Sequence, residues 1–258
     1  MSSAIANSLI SNLSTFDLSN IVFDKPYENT YGMRIPIKRE YGLPLIIASP
    51  ELKNDVPENW CFTTFKTFQK DKGASHSAFI VFSNQNGETS IEQKDWISNF
   101  KVKISGTIAS YLLANKNLNK ALKNLSITYF DDHFDHLSVP EEEKNEKNQK
   151  NHPTLALSLM EDRTGTRVYS TLYRYDVAHT ENFNFEEMTF AETFEKRLRA
   201  KFELIVDSIY IQRNGHISLT LKLDQALLSE DKSRGKSGRK MFCSRPIPEE
   251  VEVEIGEE

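Results

Sequence analysis

The chain has 258 residues, 38% of them hydrophobic and 27% charged, with a formal net charge of −5. That length supports one large domain or two small ones, with a core that needs neither disulfides nor metal. The basic residues 232–245 and the acidic residues 249–258 carry opposite and equal charge, so residues 1–231 also sum to −5. A uniformly basic nucleic-acid binder is excluded, and any polyanion site must be a local patch.

The two cysteines, Cys61 and Cys243, have no CxxC neighbour, which points to a reducing compartment without structural zinc. The start, MSSAIANSLISNL, has no basic n-region and no long apolar run, and no stretch reaches the length of a membrane-spanning helix. The expected location is cytosol or nucleus, or a virion, without secretion.

Residues 1–30 are Ser- and Asn-rich and read as a flexible arm with one short helix or loop. Tyr31, Met33, Ile35 and Ile37 alternate with polar residues, a strand signature. Leu45 to Ala48, Trp60 to Lys70 and Ser77 to Ser83 read as further strands. The period then changes: Trp96, Phe100, Ile104, Ile108 and Leu112 are four apart, predicting a helix over 93–115. Leu118 to Leu125 suggests a shorter helix or turn, and Ser126 to Phe130 a short strand.

Residues 140–153 are almost wholly charged or amide and predict a disordered loop. Thr154 to Met160 and Thr166 to Asp176 read as a strand pair around the turn at 162–165. Residues 186–201, with Met188, Phe190, Phe194 and Leu198, read as an amphipathic helix or helical turn. A hairpin over 204–228 closes the body. Its Asn214-Gly215 predicts a type I′ turn. The sum is a mixed, β-dominated domain over 31–228, followed by a basic tether and acidic tail over 229–258.

Alternation places Phe62, Lys66, Phe68 and Lys70 on one strand face, and Arg167, Tyr169, Tyr173 and Tyr175 on another. Aromatic rings interleaved with cations suit single strands: bases stack on the rings and the cations track phosphates. Buried aromatics with solvated edge cations are the plain structural alternative. Arg234, Lys236, Arg239 and Lys240 in the tether add a mobile phosphate contact. Asp131, His133, Asp135 and His136 resemble the HxHxDH zinc signature of metallo-β-lactamases. Asp131 stands at its first His, however, and no Gly-Gly follows. Too few ligands converge for zinc, so neither metal nor cofactor is expected. No phosphate loop, GxSxG or HExxH is present, so no enzymatic activity is expected.

The order of segments carries a family resemblance. Gly32-Met33-Arg34-Ile35-Pro36-Ile37-Lys38 leads to Gly42-Leu43-Pro44-Leu45-Ile46-Ile47-Ala48-Ser49-Pro50. Aromatic strands, the Trp96 helix, the charged loop before His152-Pro153-Thr154-Leu155 and the closing hairpin follow. Over residues 30–228 this resembles the single-stranded-DNA-binding proteins of nucleocytoplasmic large DNA viruses, of poxvirus and African swine fever virus type. The resemblance implies an OB-like β-barrel with helical insertions and disordered termini. It implies sequence-tolerant coating of single-stranded DNA, or of RNA, in replication, repair or packaging. The acidic tail would recruit replication or virion proteins, and homo-oligomers fit the same picture. Two other readings stand beside it: a virion scaffold protein with partner-docking termini, and a metal-dependent hydrolase around Asp131–His136.

Overall fold

The computed structural model describes residues 10–70, 73–123, 125–126, 137–138, 152–175, 185–194 and 196–231. Within them the protein is mixed and β-dominated, with thirteen strands. The first five are β1 (Ile10–Ser11), β2 (Val22–Phe23), β3 (Tyr27–Asn29), β4 (Gly32–Lys38) and β5 (Ile46–Ala48). Next come β6 (Cys61–Lys70), β7 (Gly73–Val81), β8 (Leu137–Ser138) and β9 (Thr154–Leu159). The last four are β10 (Thr171–Arg174), β11 (Glu186–Met188), β12 (Leu198–Gln212) and β13 (Ile217–Glu230).

The organising element is the β12–β13 hairpin. Its apolar residues alternate as the sequence predicts, and Leu204, Val206, Ile209, Ile211, Ile217, Leu221 and Leu223 are buried. β13 lies along one edge of β12. Along the other edge β12 meets β6 at Leu198–Ala200, β5 at Glu203–Ile205 and β4 at Ser208–Gln212 in succession. β6 pairs antiparallel with β7 and β7 antiparallel with β9. β9 pairs parallel with β13 at Lys222↔Ser158 and Leu223↔Leu159. The hydrogen-bonded neighbours β6, β7, β9, β13 and β12 therefore follow one another, and β12 lies again beside β6.

The helical segment between β7 and β8 starts at Ser90, where a capping box joins Ser90 Oγ to the Gln93 amide and Gln93 Oε1 to the Ser90 amide. It runs as α-helix over Ile91–Asn99, as π-helix over Phe100–Ser105 and as α-helix again over Gly106–Ala114. Four-residue spacing advances about 40° per step on an α-helix, so a long stripe would wind off the core face. The wider π turns correct that drift. Trp96, Phe100, Ile104, Ile108 and Leu112 consequently all stay buried. Trp96 stacks on Phe100, tilts against Phe82 and donates its indole N–H to Ala48 O (2.8 Å).

Four expectations change. Residues 10–29 are no flexible arm: they form β1–β3 and bury Leu13 and Phe16, and Lys103 Nζ donates to Leu13 O (2.6 Å). The region 186–201 is not a helix. β11 pairs with β10, Phe190–Thr193 is a 3-10 turn capped by Thr189 and Glu192, and Leu198 already belongs to β12. Cross-strand pairing overrides the local period there. Leu118 to Leu125 takes the turn of its two readings, with 3-10 turns at Lys116–Leu118 and Lys120–Leu122 among the described residues.

The strand pair around 162–165 is cut short. Ser170 is buried, accepts from the Met160 amide and donates to Leu223 O, which sends β10 to pair with β13 instead. The last hairpin turn is not type I′. Gly215 has φ 90°, and Tyr41 is the one non-glycine with positive φ among the described residues. Gly215 N donates to Gln212 O and Gln212 N to His216 O, a three-residue loop with its glycine in a bulge. The expectations for residues 127–130, for most of the loop 140–153, for Asp131–His136 and for the tail beyond Asp231 lie outside the described residues.

Candidate functional site

On β6 the odd positions Cys61, Thr63 and Phe65 are buried, so Phe62, Thr64, Lys66 and Phe68 face outward. Lys70 closes the strand opposite Gly73. Register places Phe79 of β7 beside Thr64, Ser77 beside Lys66 and Ser75 beside Phe68. β9 continues the rows with Ala156 beside Phe79 and Ser158 beside Ser77. Phe68 is 45% exposed, and its ring centre is 6.3 Å from that of Phe79. Lys66 Nζ sits 5.0 Å from the Phe79 centroid, a cation–π contact. The flanking residues are small, so they leave ring faces open. Alternation along β6 alone does not reach Phe79; the pairing register of β6 with β7 is the signal that finds it.

At the other end of β6, Phe62 lies under two guanidinium groups, Arg197 at 5.3 Å and Arg199 at 5.7 Å from its centroid. Arg199 is buried and donates to Ser83 O (2.5 Å), Trp60 O (3.2 Å) and Asp231 Oδ2 (3.4 Å). Burial pulls its pKa down, and the Asp231 carboxylate partly restores it. The Asp231 amide donates to Arg197 O (2.9 Å). The chain therefore enters its basic tether beside Phe62. Arg234, Lys236, Arg239 and Lys240 themselves lie outside the described residues.

The second predicted face divides. Arg167 and Tyr169 belong to the turn after β9, with the guanidinium 5.3 Å from the half-exposed Tyr169 ring. That turn is organised by Asp162 Oδ1, which accepts from the amides of Thr164 and Thr166. It locks onto the end of the β6–β7 hairpin, where the Ala74 amide donates to Thr164 O (3.1 Å). Gly73 and Gly165 both have positive φ, and a Cβ on either would strike the opposing carbonyl oxygen. Arg167 and Tyr169 thus sit at the Phe68 end of the face. A cavity of about 620 Å³ lies there, lined by Gly73, Ala74, Tyr169 and Lys222 among others. Tyr173 and Tyr175 lie elsewhere: Tyr173 pairs with Leu227 of β13, and Tyr175 meets Trp60 edge-on at 5.0 Å.

Other chemistry is sparse. Cys61 is buried and its thiol is pushed up to about 12 by burial, against weaker pulls from Gln93 and Arg199, so it is no nucleophile. His76 Nδ1 lies 2.7 Å from Glu161 Oε2. Among the described residues no group of three His, Cys, Asp or Glu side chains is set to hold a metal, and no helix is long and apolar enough to cross a membrane.

No curated protein matches the chain. One family model matches residues 14–258, and the chain belongs to that family, described as Protein of unknown function (DUF2738).

Proposed function

We propose that the protein binds single-stranded DNA without strong sequence demand, on the outer wall of an OB-like barrel. The observation that carries this reading is the outward face of β6 and β7, where Lys66, Phe68 and Phe79 cluster among small residues. Flat rings take bases and Lys66 takes phosphate. Phe62 under Arg197 extends the track toward the root of the basic tether.

The strand order supports the barrel. Numbered along the chain, β6, β7, β9, β12 and β13 are neighbours in the cyclic order first, second, third, fifth, fourth, with the third and fifth parallel. Barrels of the OB type bind oligonucleotides on the face of their second and third strands and with the loops beside it. By that correspondence the wall carrying Phe79 and Ser158 is the binding wall, and the turn at Arg213–His216 is one of its flanking loops. The family resemblance in the sequence adds the setting: coating single strands in viral replication, repair or packaging, with no catalysis.

The test is a fluorescence-polarisation titration of oligo-dT, matching RNA and duplex over a range of salt. Affinity for oligo-dT should exceed that for duplex and fall log-linearly with salt, by about 0.7 per neutralised phosphate. Absence of salt-sensitive binding at low ionic strength would sink the reading.

A further inference from the structure

A second concavity, of about 430 Å³, opens on the outward side of β12, β13 and β10. Arg199 of β12 pairs with Phe62, so Lys201 and Glu203, two and four residues on, share the outward side of β12 with it. Lys201, Glu203, Gln225, Leu227, Tyr173 and Phe185 line the concavity. The volume falls in the range of small-molecule sites.

Its polar groups are unusual for a sheet surface. Glu203 Oε2 accepts from Gln225 Nε2 (2.6 Å), while Oε1 receives no hydrogen bond among the described residues. A register shift between Glu203 and Leu204 leaves Asp224 as an extra residue opposite them. Such bulges re-aim side chains. Burial pushes both the Glu203 and Asp224 carboxyls above their ordinary range, and Asp224 adds to the effect on Glu203. Glu203 is half-buried and keeps Oε1 clear of protein donors, so the wall offers an acceptor to a ligand that brings N–H groups. Lys201 Nζ, now on Asp55 at 2.6 Å, stands at the same wall in an exposed and therefore exchangeable pair.

We infer that this concavity takes a guanine base, from a single strand or a free nucleotide, with Glu203 receiving N1–H and N2–H, Lys201 meeting O6, and Tyr173 and Phe185 contacting the ring. Among the bases only guanine offers two adjacent donors with an acceptor beside them. Adenine and cytosine carry one exocyclic donor next to an acceptor nitrogen. Thymine flanks its single donor with carbonyls that a carboxylate repels. The inference deepens the single-strand reading and rests on it for the polymer source alone.

The experiment uses the full chain in two arms. Calorimetry with the 5′-monophosphates of guanosine, inosine, adenosine and thymidine reads the free base. Polarisation with oligo-dT carrying one central dG or one deoxyinosine reads the polymer. Guanine should bind roughly tenfold or more tighter than hypoxanthine, which lacks the N2 amine, in at least one arm. Glu203→Gln should erase that gap while leaving oligo-dT affinity unchanged. Tyr173→Leu should weaken every base, and circular-dichroism melting checks that both variants fold. Equal binding of guanine and hypoxanthine in both arms, or a guanine preference that survives Glu203→Gln, overturns the site. If oligo-dT binds without guanine preference, the pocket fails and the single-strand reading stands. If GMP is preferred and no oligomer binds, the single-strand reading fails and the pocket stands as a nucleotide site.

Discussion

Phe68 and Phe79 make different demands on the protein although their rings are neighbours. Phe68 is 45% exposed and lies opposite Ser75, so Phe68→Ala removes little buried surface. Phe79 is half-buried, with Lys66 Nζ against its ring. Each substitution should weaken oligo-dT binding by about 1–3 kcal/mol if a base stacks there. Phe68→Ala should leave the melting temperature nearly unchanged, and polarisation paired with thermal melts separates the two effects. Asp224 permits a prediction of opposite character. Burial raises its folded pKa above the unfolded value, so its contribution to stability is full below the ordinary carboxylate range and is lost as pH rises through the folded pKa. Asp224→Asn stays neutral throughout. It should therefore be more stable than the parent at neutral pH, and the gap should close below about pH 4, as read by urea unfolding at each pH.

Among the elements, the helical segment shows how a period can be read correctly and its meaning still be missed. The four-residue spacing from Trp96 to Leu112 names the buried stripe, and every member is buried. A spacing of 4.0 rather than 3.6 also signals the π turns of Phe100–Ser105. Val102 projects from those turns to solvent. Deleting it brings the stripe to steps of four, three, four and four, which an uninterrupted α-helix keeps on one face, so the π turns should revert to α with Ile108 and Leu112 still in the core. The deletion should therefore fold, with a loss read from the denaturation midpoint that stays below about 2–5 kcal/mol, the cost of losing one such buried side chain. Val102→Lys should be neutral within about 0.5 kcal/mol. The same spacing in Phe190, Phe194 and Leu198, with Met188 two residues before them, misleads, because a strand, a turn and a second strand divide those residues. Local periodicity cannot register that β10 and β13 stand ready to pair with them.

At the scale of the whole molecule, the tail is tied to the body through Asp231. Its carboxylate faces Arg199 and Arg197, and its amide bonds to Arg197 O. A truncation meant to remove only the tail must therefore keep Asp231. Cutting earlier strips a partner from a buried guanidinium, a loss of several kcal/mol in comparable pairs. With Asp231 kept, removal of residues 232–258 should weaken oligo-dT binding, because the chain loses the six cations of residues 232–245. Removal of Glu249–Glu258 alone should tighten it, since those carboxylates repel phosphate and compete for cations. Polarisation at two salt concentrations checks both, and unchanged affinity in both truncations would make the tail a solvated end.

Local sequence already carries the β-dominated class, the helix stripe, the shared face of Phe62, Lys66 and Phe68, and the closing hairpin. Each follows from a local period, because alternation and helical spacing decide which side of an element meets the core. Folding turns that face outward, brings Phe79 onto it, parts Arg167 and Tyr169 from Tyr173 and Tyr175, and clamps the root of the tail with Arg199. It also placed Tyr173 with Lys201, Glu203 and Gln225 around one concavity. Those outcomes depend on strand register, on the hydroxyl of Ser170 diverting β10, and on pairings between segments far apart in the chain. No local period encodes them, because they arise from hydrogen-bond partners that only folding brings together.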